Sequence, residues 1–384
     1  MPNFVLHSYH FFIVCIMKLH VVSFQVPFPA DYGGVIDVYY KLVALRKAGF
    51  EVTLHTYAYD GREILPELEH VCDNVICYRR RTGWRAQLSR LPYIVQSRDD
   101  ETLLQNLLVD DAPILFEGLH TCLLLDHPAL ASRVKVVRMH NIEHEYYRAL
   151  SRQAGWRWKA IYYRIESMKL KAFESRLQHA SLVYAITDAD KQSLQERFPE
   201  MNVKTLPCFF DATMPSMVGD TEPFVLYHGN LSVNENHRVA LFIMQQVAPL
   251  CPDVRFVIAG RNPNLKKVCD NVEIVPNPTD KQLDDLLCKA RIHLMLTFQP
   301  TGIKLKLLNT LTRSCGHIIA NKDMLHGHQL GTFCTQAETP QQIADAIHQL
   351  METPIDQALL NERRLAIEQL QAESQNSLQL IANL

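Results

Sequence analysis

Short apolar runs alternate with helical patterns along most of the chain. Runs rich in valine and isoleucine, separated by segments with apolar residues at helical spacing, are typical of βαβ units and a parallel sheet. The runs predict strands at 19–24, 51–56, 74–78, 113–117, 134–139, 182–186, 224–228, 254–259, 272–275, 292–297 and 317–320. The helical segments are 35–48, 235–247, 280–289, 305–311 and 340–351. We therefore expect an α/β protein made of two doubly wound halves.

The chain divides where this periodicity stops. Three prolines and one glycine cluster with Asp, Thr and Ser between residues 207 and 223, a composition typical of a linker. With 384 residues the chain exceeds the size at which one hydrophobic core is the default. We predict a first domain over 17–210, a second domain over 211–354 and a helical segment over 355–384.

Residues 1–16 contain an apolar run that resembles part of a signal peptide. The run lacks a Lys/Arg-rich start and a small-residue cleavage site, and it is far shorter than the ~20 residues that span a bilayer. Met17-Lys18 is a more natural beginning, because the first buried strand follows it directly. We expect residues 1–16 to lie outside the fold.

Charge and cysteine usage exclude several classes of protein. The 39 Lys and Arg residues nearly balance the 41 Asp and Glu residues, so no global field recruits nucleic acid or an anionic membrane. The 10 cysteines are scattered without a CxxC pair, which indicates reduced thiols and favours neither a disulfide framework nor a zinc site. We expect a cytoplasmic protein without a metal site and without a nucleic-acid partner.

Glycine is scarce, with 14 in 384 residues, about half of the average usage. In open α/β sheets ligands bind beyond the carboxyl ends of the strands, so glycines that follow strands are candidates for ligand contacts. The glycines in such places are Gly33, Gly34, Gly229, Gly260 and Gly302. Paired glycines before a helix let the backbone approach a phosphate or sugar, although a tight strand-to-helix turn also favours glycine.

Basic residues accompany two of these turns. Arg261 and Lys266 lie five positions apart across the start of a helix, a spacing that lets both cations bind one diphosphate. Lys304 follows Gly302 in a first helical turn, where a lysine opposes the helix dipole unless an anionic ligand lies between them. The alternatives are a solvated Arg and Lys pair in a loop and a merely exposed lysine.

These motifs, taken in order, resemble those of retaining GT-B glycosyltransferases of the family 4 type. The motifs are Gly33-Gly34, His140, Gly229-Asn230, Gly260-Arg261 with Lys266, and Gly302-Ile303-Lys304-Leu305-Lys306-Leu307-Leu308. The resemblance covers nearly the whole chain from Met17. It implies two Rossmann-like domains facing a cleft, and a C-terminal helix that returns to the first domain. It also implies retaining transfer from a nucleotide-sugar, a UDP- or GDP-sugar, without a metal or a tightly bound cofactor.

The resemblance also implies roles for individual residues. His140 would lie near the reacting carbon and Lys304 would face the transferred sugar, so both are predicted to be catalytic. The residues predicted to bind the donor are Gly33, Gly34, Gly229, Asn230, Gly260, Arg261, Lys266, Thr301, Gly302, Ile303, Lys306 and Asn309.

The family's usual pair of glutamates, eight positions apart, is missing, and their slots hold Thr301 and Asn309. No carboxylate is available there as a nucleophile. Front-face attack, in which the leaving phosphate takes the proton of the acceptor, is therefore the predicted mechanism. Arg261, Lys266 and Lys304 would stabilise the charge that develops on the leaving group.

Glu117 and His120 follow the predicted strand 113–117 and are candidates for the acceptor side. The alternative is a strand-end turn with a satisfied histidine. The acceptor is expected to be a glycan or a lipid-linked molecule.

The segment 156–176 is basic and aromatic, and it could contact an anionic membrane at the inner face of the cytoplasmic membrane. The alternative is a long solvated helix with its aromatic residues in the core. Glu166 and Glu174 interrupt the positive charge, which slightly favours this second interpretation.

Other functions stay open. His140-Asn141-Ile142-Glu143-His144 matches the zinc signature HxxEH. However, Asn141 is suited to cap a helix starting at Ile142, which would leave the two histidines on different elements.

A GT-B nucleotide-sugar epimerase or hydrolase would need a carboxylate pair that the slots at Thr301 and Asn309 do not supply. A catalytically impaired protein that binds a nucleotide-sugar or a glycan is made credible by the same losses.

Overall fold

The computed structural model describes most of the chain from Met17 onward. The described residues are 17–30, 33–59, 61–155, 157–211, 213, 221–261, 265–266, 268–299, 304–327 and 329–382. The expectation for residues 1–16 and the donor-binding roles of Thr301, Gly302 and Ile303 concern residues outside these ranges. Part of the predicted linker also lies outside them, and the domain bounds stay a prediction.

The strands fall close to the apolar runs. They are β1 (Met17–Val22), β2 (Phe50–Ala58), β3 (Asn74–Arg79), β4 (Ile114–Glu117), β5 (Lys135–Arg138), β6 (Leu182–Ala185), β7 (Val203–Thr205), β8 (Glu222–Asn230), β9 (Arg255–Arg261), β10 (Val272–Pro276), β11 (Ala290–Met295), β12 (His317–Ala320) and β13 (Thr335–Gln336). β7 and β13 were not predicted, because three and two residues are too few to form a recognisable apolar run.

Helices connect the strands. They are α1 (Gly33–Lys47), α2 (Trp84–Gln87), α3 (Tyr93–Gln96), α4 (Glu101–Leu107), α5 (Glu143–Gln153), α6 (Arg157–Phe173), α7 (Asp188–Arg197), α8 (Asn234–Phe242), α9 (Asp280–Lys289), α10 (Leu305–Arg313), α11 (Lys322–Leu325), α12 (Pro340–Glu352) and α13 (Gln357–Ala382). The predicted helix 235–247 is interrupted, since α8 continues as a π-helical turn over Ile243–Val247. α5 begins one residue later than predicted, and Ile142 occupies the N-cap position expected for Asn141.

The strands form two parallel sheets. The first has seven strands in the order β3-β2-β1-β4-β5-β6-β7, and the second has six in the order β10-β9-β8-β11-β12-β13. In each sheet the chain adds strands outward on one side and then returns to the other side of the first strand. This places a topological switch point between β1 and β4 and another between β8 and β11, where α/β proteins bind ligands. The prediction of two doubly wound halves is confirmed.

A hydrophobic cluster joins the two halves beside these switch points. Ile186 and Phe210 from the first half pack with Leu305 and Leu308 of α10 and with Ile367 of α13. This packing holds the N-terminus of α10 against the first half of the molecule.

The helix α13 contacts both halves. Near its end, Leu378 is buried in the core of the first half, and the Tyr184 hydroxyl of β6 donates a hydrogen bond to the Ser377 carbonyl at 3.2 Å. Across the described part of the chain, we find no helix both long enough and apolar enough to cross a membrane.

Candidate active site

Several residues predicted to bind the donor meet at the ends of β8 and β9. The two strands pair in register, so that Gly229 lies beside Gly260 and Asn230 beside Arg261. A Cβ at position 260 would lie 2.0 Å from the Gly229 carbonyl oxygen, so only glycine allows this close packing. Arg261 is exposed at the last position of β9, and Lys266 is exposed five residues further on.

Asn230 shapes the turn that leads from β8 into α8. Its side-chain oxygen accepts hydrogen bonds from the Ser232 amide at 3.1 Å and the Ser232 hydroxyl at 2.6 Å. Its carbonyl accepts a third from the Asn236 side chain at 2.9 Å. The predicted donor-binding residue thus has a local structural role in this turn.

Lys306 extends from the first turns of α10 toward the end of β8. Its Nζ lies 3.9 Å from the centroid of the Tyr227 ring, is sealed from solvent and has no hydrogen-bond partner among the described residues. A Cβ added to Gly229 would lie 3.3 Å from this Nζ, so a side chain at position 229 would crowd the amine. Burial lowers the pKa of Lys306 to about 7, although Glu235 acts in the opposite direction. The site therefore holds a buried amine that lacks a full anionic partner.

Lys304 immediately precedes α10 and is also partly buried. Burial lowers its pKa to about 8, opposed by Glu235 and Asp323. The Glu235 carboxylate is anchored near the end of β11, where it accepts hydrogen bonds from the Thr297 hydroxyl at 2.9 Å and the Phe298 amide at 2.5 Å. Asn309 is partly buried on the same helix, α10.

The paired glycines of the first half begin α1 and face the second half. A Cβ added to Gly33 would lie 3.9 Å from Leu305 Cδ1, which puts the N-terminus of α1 against the start of α10. At the end of α5, the Gln153 side chain donates to the Phe298 carbonyl at 3.4 Å. The carboxyl edges of the two sheets therefore face each other.

His140 follows β5 at the carboxyl edge of the first sheet. Its Nε2 lies 2.9 Å from Glu117 Oε2, and its Nδ1 lies 3.7 Å from Asp37 Oδ2. The edge of the ring packs against Phe24, with ring centroids 5.3 Å apart. Both ring nitrogens thus face carboxylates, and the ring has little freedom to turn.

Two buried cations balance these carboxylates. Lys41 Nζ lies 2.8 and 2.9 Å from the two Glu117 oxygens and 3.3 Å from Asp37 Oδ2. Arg138 Nε lies 3.5 Å from the same Asp37 oxygen. Burial alone would raise the pKa values of both carboxyls, but Lys41 and His140 together, with Arg138 as well at Asp37, outweigh burial, so both pKa values are lowered. Asp37 and Glu117 therefore stay ionised inside the protein.

This network corrects the prediction for Glu117. Its side chain is fully buried and bonded to Lys41 and His140, so it supports His140 and does not face an acceptor. His120 is partly buried with its ring 5.4 Å from the Phe24 ring, and burial lowers its pKa well below the usual value. Its Nδ1 has no hydrogen-bond partner within the described ranges, so this ring nitrogen is not satisfied there.

Sequence reasoning missed Asp37, Lys41 and Arg138. A signal was present in each case. Asp37 and Lys41 are four residues apart on the apolar side of α1, and Arg138 ends β5, a strand whose four residues are all buried. Charged residues at core-facing positions are rarely buried unless they are paired, which indicates a buried ionic cluster.

The HxxEH motif does not form a zinc site in the described structure. His140 is directed to Glu117, whereas His144 on α5 pairs with Glu174 at 2.9 Å. Glu143 between them is buried, and burial raises its pKa to about 8. The two histidines therefore serve different networks.

One group of three potential metal ligands occurs among the described residues. Asp37, Glu117 and His140 have ligand atoms within 4.8 Å of one another. Lys41 already bridges the two carboxylates, so a divalent cation would have to displace its ammonium group. The donor set therefore does not favour a metal.

Two doubly wound halves with facing carboxyl edges are the GT-B architecture. Residues 222–353 match the family model described as "Glycosyl transferases group 1". A relative from Klebsiella pneumoniae, described as an uncharacterized 44.6 kDa protein in the cps region, is 27% identical over 322 residues. The match covers 77% of this chain and 80% of the relative.

Solved structures share the fold across almost the whole chain. Sucrose-phosphate synthase from Thermosynechococcus elongatus is 14% identical with a TM-score of 0.66, covering 96% of this chain and 98% of its own. TarM is 11% identical with a TM-score of 0.65, and the match covers 96% of this chain and 99% of TarM. The pneumococcal O-GlcNAc transferase GtfA, solved with UDP and GlcNAc, is 10% identical with a TM-score of 0.60. This match also covers 96% of this chain and 99% of the other chain. The predicted GT-B fold is confirmed, and the family-model match of residues 222–353 supports glycosyl transfer.

Replacing Lys41 with Met should destabilise the protein by about 3–5 kcal/mol, because two carboxylates would lose their buried cation. The measurement is the free energy of unfolding in urea at pH 7. The matched control is Lys18→Met, since Lys18 forms an exposed pair with Glu51 at 3.8 Å, and loss of such a pair costs about 0–1 kcal/mol.

The difference in stability between the wild type and Lys41→Met should depend on pH. Because the folded pKa values of Asp37 and Glu117 lie below their ordinary values of 3.8 and 4.5, their pairing with Lys41 stabilises the fold above those values. The advantage of the wild type over Lys41→Met should shrink as the pH falls below them. An equal loss of stability in the two lysine variants would contradict the buried network.

Proposed function

We propose that this protein transfers a hexose-type sugar from a UDP- or GDP-sugar to a glycan or a lipid-linked acceptor, with retention and without a metal. The observation that supports the proposal most is the buried Lys306 amine at the end of β8. It has no hydrogen-bond partner among the described residues, and it lies close to the backbone of Gly229. A diphosphate would supply the anion that this amine lacks.

The donor would bind along the carboxyl edge of the second sheet. Arg261 and Lys266 are both exposed there, where they can reach the diphosphate. Arg261 offers a planar fork of N–H donors that matches phosphate oxygens. Gly33 and Gly34 at the N-terminus of α1 would approach the same diphosphate from the opposite side of the cleft.

Cleavage of a glycosyl-diphosphate bond builds negative charge on the leaving group and positive charge on the sugar. Lys306, Arg261 and Lys304 would stabilise the leaving group without needing to reorganise during the reaction. With Thr301 and Asn309 in the carboxylate slots, the acceptor would attack from the front face, and the departing phosphate would take its proton. No general base is then required.

His140 would line the cleft near the reacting carbon. Its ring is held by Glu117 on one side and Phe24 on the other. A histidine fixed in this way can orient the sugar with little loss of side-chain entropy on binding. Glu117, Asp37 and Lys41 would act through it as positioning residues.

The biological setting rests on similarity. The Klebsiella relative is described as a protein in the cps region, which supports a role in the assembly of a surface polysaccharide in the cytoplasm. A second candidate, a protein that binds a nucleotide-sugar without transferring it, is favoured by the neutral Asn309. Nucleotide release from UDP-, GDP- and ADP-sugars separates these functions. A transferase releases nucleotide only when an acceptor is present, whereas a hydrolase releases it without one. A protein that only binds the nucleotide-sugar releases no nucleotide but is stabilised against thermal unfolding by it.

Replacing Arg261 with Ala should raise the KM for the donor about 10- to 100-fold, because one charge-assisted contact contributes about 1.5–3 kcal/mol. The measurement is nucleotide release with the most active donor. Arg255→Ala is the control, since Arg255 lies at the opposite end of β9 and pairs with Glu273 at 2.7 Å. If Arg261→Ala and the double variant with Lys266→Ala keep the wild-type KM and kcat, the diphosphate site lies elsewhere.

Replacing His140 with Ala should lower kcat about 10²-fold or more, the usual cost of removing a preorganised polar group from the transition state. His348→Ala on the exposed surface of α12 serves as a control for histidine loss. Thermal unfolding of both variants checks that they fold. An unchanged kcat in a folded His140→Ala protein would remove His140 from the mechanism.

A further inference from the structure

The outer face of α6 carries an exposed apolar stripe. Trp158 is 81% exposed and Met168 is 59% exposed, and Ile161 and Ile165 between them are exposed as well. At about 100° per residue these four side chains lie within about 80° of the helix surface. Large apolar side chains that share one exposed stripe indicate an interaction surface, unlike single exposed residues.

Basic residues flank this stripe. Arg157, Arg164 and Lys171 are exposed, and at about 100° per residue they fall in one row along one side of the stripe. On the same projection Lys169 lies on the other side. Arg157, Arg164 and Lys171 can each keep their charge in a headgroup region while their methylene stems contact apolar groups. The stripe is therefore bordered by exposed cations on one side, whereas Lys169 on the other side pairs with Glu166.

The two acidic residues that interrupt this segment in the sequence point inward. Glu166 is buried, where it accepts hydrogen bonds from the Tyr93 amide at 2.7 Å and from Lys169 at 2.8 Å. Glu174 is buried with His144 and Arg197. No described residue on the exposed face of α6 is acidic. The sequence analysis offered a solvated helix with its aromatic residues in the core as the alternative for this segment. This prediction is wrong for Trp158, whose side chain is exposed.

A neighbouring loop extends the stripe. Lys169 Nζ lies 3.5 Å from the Gln87 carbonyl oxygen, and the next residue, Leu88, is 77% exposed. Glu166 fixes the start of α3 to α6 through the Tyr93 amide. The loop therefore packs beside α6 on the side that carries Lys169.

We infer that this face of α6, with Leu88, docks on an anionic lipid bilayer. Apolar side chains including tryptophan, flanked by Lys and Arg, are the composition of helices that lie in a membrane interface. The near-neutral chain provides no global attraction to lipid, so the local basic border would supply it. A protein partner would need a complementary acidic surface, whereas an anionic bilayer offers both the charge and an apolar layer.

The docking face is connected to the candidate active site. α5 starts three residues after His140 and packs against α6, and the Ser167 hydroxyl of α6 donates to the His144 carbonyl at 2.7 Å. A bilayer bound at α6 would therefore lie beside the first half of the cleft. If the proposed function is correct, this is the side from which a lipid-linked acceptor would enter, but lipid docking itself does not depend on the activity.

The test is co-sedimentation of the full chain with vesicles. We expect at least tenfold stronger binding to vesicles with 40% phosphatidylglycerol than to pure phosphatidylcholine. The double variant Trp158→Ser with Met168→Ser should lose at least tenfold of that binding. Leu365→Ser, at an exposed position on α13, should bind like the wild type.

The charge contribution is tested separately. Arg164→Gln with Lys171→Gln should weaken binding by about fivefold per charge, whereas Arg364→Gln on α13, exposed and paired with Glu368, should not. Equal binding to neutral vesicles, or wild-type binding by the stripe variant, would overturn the proposal. So would light scattering that shows a dimer converted to a monomer by the stripe variant, since the face would then bind a second copy. Nucleotide release with a water-soluble acceptor, unchanged in the variants, separates failed docking from failed catalysis.

Discussion

The first half of the molecule is organised around a buried ionic cluster. Lys41 of α1 bridges Asp37 of its own helix and Glu117 at the end of β4, and Glu117 in turn holds His140. Buried charges are tolerated only when they are closely paired. The cluster therefore fixes the position of α1 against the carboxyl edge of the sheet. It also determines where the paired glycines at the start of α1 and the imidazole of His140 can lie.

The second half presents the opposite situation. Lys306 is sealed beside Tyr227 and Gly229, with no hydrogen-bond partner among the described residues. Glu235 is close enough to raise its pKa, but burial still lowers that pKa to about 7. One edge of the cleft thus has its charges matched internally, whereas the other holds a buried lysine that lacks a hydrogen-bond partner among the described residues. A nucleotide-sugar diphosphate fits this asymmetry, and the family match of residues 222–353 is consistent with it.

The sequence predicted the fold well because the strands of a parallel sheet are buried on both faces and form apolar runs. β7 and β13 were not predicted, because edge strands of a few residues need only a few apolar residues. The ionic cluster could not be predicted in full, since Lys41 and Glu117 are 76 residues apart and meet only through tertiary packing. The orientation of Glu166 could have been inferred, because it shares a helix face with the buried Leu170 and Phe173. The position of each residue around the helix, and not the net charge of the segment, decides which side chains of α6 are exposed.

The central claim is that Lys306 lacks an anion that the diphosphate of a donor supplies. The direct measurement is the shift in unfolding temperature caused by UDP and by GDP in the wild type and in Lys306→Met, with the nucleosides uridine and guanosine as controls. The claim predicts that a nucleoside diphosphate stabilises the wild type and that the stabilisation is lost in Lys306→Met, while the nucleosides have little effect on either protein. Equal stabilisation of the two proteins, or no stabilisation of the wild type by either diphosphate, would contradict it.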